Sequence, residues 1–360
     1  MVNAPERGAK TLRDGQYETI ARLLNRVGGS LHDYAILPVA ACDSPDDTSW
    51  RHCQPLLMSQ LKALNPEKIL VYGNKALQSV LTRLWGHASE LTDRFIGEQI
   101  PCRELNAWVC PLGWINQKNN AAVSDVWAFR HAQAADRLSG RPYAQVPNYD
   151  KIVRTSYDPH EIKLALLRAQ ASWLTAFDYE STGLKPEGLG QEIVSCGLAW
   201  MTDTEDTECL AFPFMPEIKE AWCDYLTSRC QKVAANSKFE QRWSKRILGV
   251  EVRGWTYDTM LAAHMLNPIA GATGLKFQAF VKLGLPFYAE EVERYFQSQE
   301  PGGNAINNIY QASMPELLRY NAIDALAELD LSIIQRYQSG ISTRWSNNLP
   351  SKAYYAYTTN

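Results

Sequence analysis

Two carboxylates lie two residues apart at the end of an apolar run that begins at Trp173. Side chains alternate along a strand, so Asp178 and Glu180 are expected to project from the same face of a strand over 173–179. Like charges held this close repel each other unless a cation lies between them. Hard divalent ions prefer carboxylate oxygens, so the pair indicates a Mg²⁺ or Mn²⁺ site. The alternative is chance, because Asp-x-Glu is a common tripeptide.

A tyrosine and a third acid lie far downstream, in a helix predicted over 314–337. Residues four apart on a helix share one face, so Tyr320 and Asp324 are expected to project into one site. Between the two pairs, a short buried strand over 232–235 leads to Asn236 and Glu240 at the start of a helix that is predicted to end at Leu248.

Composition sets the broad class of the protein. The 360 residues suffice for two domains, and 46% hydrophobic with 21% charged residues is typical of a soluble globular chain. The net charge of −3 provides no global basic field for nucleic acid. We expect no membrane partner, because the sequence shows neither a membrane-spanning run nor a signal peptide. The expected location is the cytoplasm, or the host cytoplasm if the chain is phage-encoded.

The elements that precede the acids alternate between helix and strand. Helices are predicted over 16–27, 53–64 and 74–84, and strands over 36–39 and 68–73, which indicates a parallel sheet with helices on its faces. The segment 138–148 is rich in Gly and Pro and has linker composition. We therefore predict domains over 1–148 and 149–340, followed by a polar tail over 341–360.

Part of the first domain resembles uracil-DNA glycosylases of the iron–sulfur type. The resemblance covers about residues 12–138 and rests on a strand, a cysteine, a helix and the run Pro66-x-x-Ile69-x-x-x-Gly73-x-x-Ala76. It implies a three-layer α/β domain. The family's Gly-rich first loop has no counterpart, and the segment 110–117 lacks the family's histidine. We therefore expect a catalytically inactive, glycosylase-like domain used for binding or packing.

Four cysteines of this domain could in principle hold an iron–sulfur cluster, since four thiolates are the right number: Cys42, Cys53, Cys102 and Cys110. The close cysteine pair of the family's cluster is absent. We favour the alternative that these four cysteines are structural thiols. The six histidines are dispersed and predict no metal site.

The sequence of the second half of the chain predicts a second sheet with antiparallel strands. Strands over 173–179, 192–200 and 208–214 are joined by short turns and should be antiparallel. A short strand is predicted over 151–154, a helix capped by Asp158-Pro159 runs to Gln170, and Trp255–Met260 opens a helix that stops at Asn267. A further helix is predicted over 274–283.

The order Asp178-x-Glu180, Asn236-x-x-Phe239-Glu240, Tyr320-x-x-x-Asp324 resembles the tyrosine subclass of DEDD 3′→5′ exonucleases. The details are most similar to the proofreading domain of family A DNA polymerases, including Gly249 to Asn267 and Tyr320-Asn-Ala-Ile-Asp-Ala. The match spans about 151–340. It implies an RNase H-like fold with a mixed sheet. The second motif departs from the family, which has Asp where this chain has Glu240.

The resemblance implies a role for each motif residue. Two Mg²⁺ or Mn²⁺ ions would clamp the attacking and leaving oxygens of a phosphodiester. Asp178, Glu180 and Asp324 would hold the first ion, and Asp178 would bridge to the second. Tyr320 would orient the attacking water, and Glu240 would serve the second ion. The alternative for Glu240 is a solvated helix charge.

The resemblance also implies contacts to the substrate, a DNA 3′ end that is single-stranded or frayed. Asn236 would contact the terminal nucleotide, and Leu184 would wedge against its base. Lys238 and Arg242 belong to a basic stretch that could contact DNA or could merely be solvated. Asp258 is expected to be structural.

These features predict a free-standing, metal-dependent DNA exonuclease, plausible as the proofreading subunit of a separately encoded family A polymerase of phage type. Two alternatives stay open. One is an RNA exonuclease of the same fold, and the other is a catalytically weakened nucleic-acid-binding module, motivated by Glu240.

Overall fold

The computed structural model describes residues 2–3, 14–26, 29–40, 49–85, 93–112, 148–204, 206–298 and 305–339. These residues form two five-stranded mixed sheets covered by helices, which confirms the predicted α/β class. In the described segments, no helix combines the length and the apolar character needed to cross a membrane. Most of the predicted linker over 138–148 and the tail over 341–360 lie outside the described residues.

The first sheet has the strand order β2-β1-β3-β5-β4. Four strands are parallel, and β4 runs antiparallel to β5. The strands are β1 (Val2–Asn3), β2 (Leu37–Pro38), β3 (Lys68–Tyr72), β4 (Ile100–Cys102) and β5 (Ala107–Leu112), and the helices are α1 (Asp14–Arg26), α2 (Ser49–Leu64) and α3 (Asn74–Trp85). Alternate residues of β3 enter apolar cores on opposite faces, so this part is three-layered.

The cysteines of the first sheet are placed by the same alternation. Cys102 belongs to one apolar core and Cys110 to the core on the opposite face. A single cluster would need both thiols on the same side, so their burial supports the structural alternative. Cys42 lies outside the described residues, and Cys53 is half-buried on α2.

The second sheet has the order β8-β7-β6-β9-β10. As predicted, β6, β7 and β8 are antiparallel, while β9 and β10 continue the sheet in parallel with β6. This strand order is consistent with the RNase H-like fold that the resemblance implies. The strands are β6 (Leu174–Ser181), β7 (Ile193–Met201), β8 (Thr207–Pro213), β9 (Gln231–Ala234) and β10 (Trp255–Asp258).

Seven helices of the described residues accompany this sheet: α4 (Tyr149–Ile152), α5 (Pro159–Ala171), α6 (Lys219–Thr227), α7 (Ser237–Trp243), α8 (Thr259–Leu266), α9 (Leu275–Leu283) and α10 (Met314–Gln338). As predicted, Asp158 caps α5 and Pro159 begins it. A π-helical turn, Ser244–Leu248, continues α7 to its predicted end. Helix α10 crosses one face of the sheet, and α5 and α6 pack on the other.

Two predictions of local structure were wrong, and two strands were missed. The predicted strand over 151–154 is instead the short helix α4 and its end, because Tyr149 is buried in the core and its hydroxyl donates a hydrogen bond to Asp330. Strands β4 and β5 were not predicted, since each contains a proline within a very short apolar run. In addition, the segment Trp255–Asp258 is a strand, and its helix begins only at Thr259.

Helix α9 joins the two sheets. Phe277 and Phe280 are members of the same apolar core as Trp85 and Phe95 of the first part of the chain, with ring centroids 5.0–6.2 Å apart. The opposite side of α9 packs against α10, since Ala279 and Leu283 share the core of the second sheet. A single helix therefore contacts both cores.

Candidate active site

Strand β6 presents two acids on the face that α10 covers. Phe177 and Tyr179 enter the core beneath α5 and α6, so Asp178 and Glu180 point to the other side. Asp324 approaches them from α10. One carboxylate oxygen from each of the three acids lies within 4.8 Å of the others, and among the described residues this is the group of acidic, His or Cys side chains that could hold a metal ion.

A glycine permits the close approach of α10 to the sheet. Gly197 on β7 pairs with Asp178, and a Cβ at this position would lie 2.3 Å from the carbonyl oxygen of Asn321. The Asn321 amide donates to Asp178 Oδ2 at 2.7 Å and accepts from the hydroxyl of Ser195 at 3.0 Å. The packing of α10 on β7 thus fixes the orientation of Asp178.

The three acids form a strongly anionic site. Burial, followed by the charge of Asp324, raises the pKa of Asp178 to about 7. Burial and the charge of Asp178 also raise the pKa of Glu180. Buried carboxylates cost free energy unless a cation compensates them. Three carboxylate oxygens within 4.8 Å of one another and excess negative charge suit a hard divalent ion, so the residues fit Mg²⁺ or Mn²⁺.

A lysine from α9 reaches this site. Lys276 Nζ donates to Asp324 Oδ2 at 2.5 Å, and the hydroxyl of Tyr288 donates to Asp324 Oδ1 at 2.5 Å. Burial alone would lower the pKa of Lys276, but Asp324 and Glu180 reverse the effect and raise it. Neither Lys276 nor Tyr288 was identified from the sequence, because both reach Asp324 through tertiary packing. The one sequence feature that could have pointed to Lys276 is its positive charge, which can compensate nearby acids.

Tyr320 lies beside the acids, one turn before Asp324. Its ring packs against Phe296 and Tyr288, with centroids 5.4 and 5.9 Å away, and Lys276 Nζ lies 4.4 Å from the ring centroid. Burial, followed by the charge of Asp324, raises the pKa of the Tyr320 phenol, so the hydroxyl stays protonated. The ring is therefore held rigidly next to the three acids.

Glu240 is buried but does not join the three acids. Its side chain is 1% exposed, which excludes the solvated-charge alternative, and its Oε2 has no hydrogen-bond partner. Burial and the charge of Asp178 raise its pKa. Glu328, one turn after Asp324, is a second buried acid with an unpartnered Oε2, while its Oε1 accepts from the Ala235 amide at 2.9 Å. No motif or spacing in the sequence pointed to Glu328.

The residues expected to contact substrate have different surroundings. Leu184 follows β6 and is 69% exposed, and Lys238 is also exposed. Asn236 is half-buried in the left-handed conformation, with φ of 67°. The guanidinium of Arg242 instead makes two hydrogen bonds of 2.7 Å to Glu187, in the loop that carries Leu184.

Asp258 is structural, as its position suggested. Its Oδ1 accepts from the amides of Met260 and Leu261 at 3.0 Å and so caps α8. Its Oδ2 accepts from the Ser237 amide at 2.8 Å, which fixes the start of α7. The helix that carries Glu240 is thereby positioned relative to β10.

No protein-family model and no curated protein matches this chain. Among solved structures, Brucella melitensis NrnC aligns with 53% of this chain and 85% of its own, at 14% identity and a TM-score of 0.37, and one NrnC structure contains bound Mg²⁺. The Trypanosoma brucei RNase D–GMP complex aligns with 51% of this chain and 57% of its own, at 17% identity and a TM-score of 0.40. The POL domain of Pol1 from M. smegmatis aligns with 52% and 27%, at 16% identity and a TM-score of 0.36. At these TM-scores the alignments support no conclusion about activity or substrate.

Proposed function

We propose that this protein is a metal-dependent 3′→5′ exonuclease that hydrolyses phosphodiester bonds at DNA 3′ ends. The observation that carries the proposal is the convergence of Asp178, Glu180 and Asp324 within 4.8 Å. Two of these acids come from one strand and the third from a distant helix, so the fold itself assembles the group. A purely structural role would not explain why three carboxylates, two buried and one half-buried, share a single ammonium.

Asp178, Glu180 and Asp324 would hold the divalent ion. When bound, the ion would acidify a water and neutralise charge on the phosphate. Tyr320 would orient the attacking water, since its packed ring directs a protonated hydroxyl from the same helix face as Asp324. Leu184 is exposed at the end of β6, where it would stack against the terminal base.

A second ion is a further part of the proposal. Glu240 would serve it, because the unpartnered Oε2 of Glu240 is buried and its charge interacts with that of Asp178. Its carboxylate lies outside the three-acid group, so Glu240 would need to turn toward Asp178 when substrate is present.

The test uses 5′-labelled DNA and RNA oligonucleotides of the same sequence, with Mg²⁺, Mn²⁺ or EDTA. We expect a ladder of products shortened from the 3′ end, metal dependence, and faster cleavage of DNA. Asp178→Asn should abolish the ladder, and Glu98→Gln, outside the three-acid group, should preserve it. Faster RNA cleavage would replace the proposed substrate with RNA. Binding without any shortening would establish the weakened binding module instead.

We also propose that the chain proofreads for a separately encoded family A polymerase and that the glycosylase-like first part contacts DNA or that polymerase. The shared core around α9 supports this, because it attaches the first part firmly to the exonuclease site. The test mixes the full chain with an exonuclease-deficient family A polymerase on primers with matched or mismatched 3′ ends. Selective removal of mismatches and co-elution of the two proteins are expected, and equal removal without co-elution would refute this role.

A further inference from the structure

Lys276 is the cation nearest to the three acids among the described residues. Its ammonium lies 2.5 Å from Asp324 Oδ2, and its charge also interacts with Glu180 and Asp178. The second oxygen of Asp324 accepts from Tyr288. The carboxylate that should bind a divalent ion is therefore already engaged through both oxygens.

The backbone that carries Lys276 is held in place from the other side. The next residue, Phe277, packs against Phe95 with ring centroids 5.0 Å apart, and the guanidinium of Arg94 lies 4.7 Å from the Phe277 ring centroid. Arg94 also donates to the Gly271 carbonyl at 3.1 Å, just before α9. Helix α9 thus cannot easily withdraw from the site, and a change in the position of the ammonium requires rotation of the lysine side chain.

The lysine side chain is partly open to solvent. It is 32% exposed, whereas its partner Asp324 is 3% exposed. An ammonium and a divalent ion on the same carboxylate would repel each other strongly, because their separation would be only a few ångströms in a partly desolvated site. Rotation toward solvent relieves this repulsion at the cost of one ion pair.

From this geometry, and resting on the proposed metal site, we propose that Lys276 is a built-in competitor of the divalent ion. It neutralises part of the acid cluster when no ion is bound, and it leaves Asp324 when the ion binds. Lys276 thereby sets the metal concentration at which the site fills. It is a positioning residue, since it acts on the ion through Asp324.

A second lysine on the same helix provides a matched control. Lys282 donates to Glu98 Oε2 at 2.8 Å, away from the three acids, and this ion pair is also largely buried. Lys276→Met and Lys282→Met therefore remove the same charge from the same helix, and only the first removes it from the metal site.

The experiment measures Mn²⁺ binding to the full chain by the decrease of the free-ion electron paramagnetic resonance signal, after treatment with EDTA and dialysis. We expect Lys276→Met to bind Mn²⁺ about tenfold more tightly than the wild type, the effect of one nearby like charge removed. Lys282→Met should bind Mn²⁺ as the wild type does. In EDTA, Lys276→Met should melt at a lower temperature than the wild type, and saturating Mn²⁺ should close that difference.

Unchanged or weaker Mn²⁺ binding by Lys276→Met would overturn the proposal, because the lysine would then be neutral toward the ion or would help to bind it. If Lys276→Met does not fold, Lys276→Gln and Lys276→Arg test the proposal instead. Only Lys276→Gln should bind Mn²⁺ more tightly than the wild type. The result is separable from the proposed function. Tighter binding without oligonucleotide shortening would refute the exonuclease alone, and shortening with unchanged binding would refute the competition alone.

Discussion

The two sheets differ in whether their buried charged side chains have partners of opposite charge. In the described residues of the first 148, Glu98 is the buried charged side chain, and it accepts hydrogen bonds from Lys282 at 2.8 Å and Asn267 at 3.3 Å. On the second sheet, Asp178, Glu180 and Asp324 share one lysine, Lys276. Two further buried acids, Glu240 and Glu328, carry charges that interact with that of Asp178. A compensated charge serves packing, whereas an excess of like charges costs stability and indicates a bound cation.

Removal of one acid from the second sheet should produce the largest effect. Asp178→Asn deletes a proposed metal ligand, while its amide oxygen can still accept the bond from Asn321. We expect exonuclease activity to fall by about 10²–10³-fold or more. In EDTA the variant should be more stable than the wild type, because one of several repelling charges is gone. Oligonucleotide shortening and thermal melting measure the two effects.

A decrease of both activity and stability in Asp178→Asn would contradict this comparison, since it would mean that the acids stabilise the fold without a cation. Asp224→Asn, an exchange of the same kind on α6, is the control and should change neither activity nor melting.

Replacement of Glu98, the ion-paired acid of the first part of the chain, should lower stability and leave metal binding unchanged. Glu98→Ala removes the carboxylate to which Lys282 donates and leaves a largely buried ammonium. We expect the free energy of unfolding to fall by about 3 kcal/mol, with no change in Mn²⁺ affinity. Chemical denaturation and Mn²⁺ titration test this. A shift in Mn²⁺ affinity would show that Glu98 reaches the metal site through α9.

The crowded acids should also make stability depend on pH. The pKa of Asp178 rises from 3.8 to about 7 on folding, first through burial and then through Asp324. Between these values the folded protein binds a proton that the unfolded chain does not bind. In EDTA, the contribution of Asp178 to the free energy of unfolding should therefore fall as pH rises from about 4 to about 7 and level off above.

Divalent ions should reverse this trend, because they bind the ionised carboxylate. The stabilisation by Mg²⁺ should grow through the same pH window, and Asp178→Asn should reduce the slope of both profiles. Denaturation curves at each pH, with Mg²⁺ or EDTA, provide the measurement. A pH-independent gain from Mg²⁺ would place the ion away from Asp178.

The sequence predicted those parts of the site that depend on short-range periodicity. Strand alternation placed Asp178 and Glu180 on one face, and helical spacing placed Tyr320 one turn from Asp324. The antiparallel pairing of β6, β7 and β8 also followed from the short turns between them, whereas the RNase H-like fold was implied only by the family resemblance. Lys276 and Tyr288 could not be predicted in this way, because each reaches Asp324 from an element whose packing depends on the whole fold.

The fold of the first part was harder to predict for a related reason. Its strands are short, and Pro101 and Pro111 interrupt the apolar runs that would identify β4 and β5. The joint core around α9 had no local signal either, since Phe277 meets Phe95 across a long separation in sequence. Its resemblance to glycosylases and the domain boundary at 148 stay predictions.

The smallest expected effect concerns Arg242, which the sequence suggested as a DNA contact. Its guanidinium makes a bidentate ion pair with Glu187, and both side chains are 49% exposed. We expect this pair to steady the loop that carries Leu184. Arg242→Ala and Glu187→Ala should then weaken single-stranded DNA binding equally, by a few-fold, as measured by fluorescence anisotropy.

The dependence of this affinity on salt separates the two roles of Arg242. If Arg242 binds a phosphate, Arg242→Ala would lower the slope of log affinity against log salt concentration by about 0.7, and Glu187→Ala would leave that slope unchanged. Equal slopes in both variants would assign Arg242 to the loop. The basic side chain would then belong with Lys282 as part of the compensated charge of the molecule, and the uncompensated acids would remain confined to the second sheet.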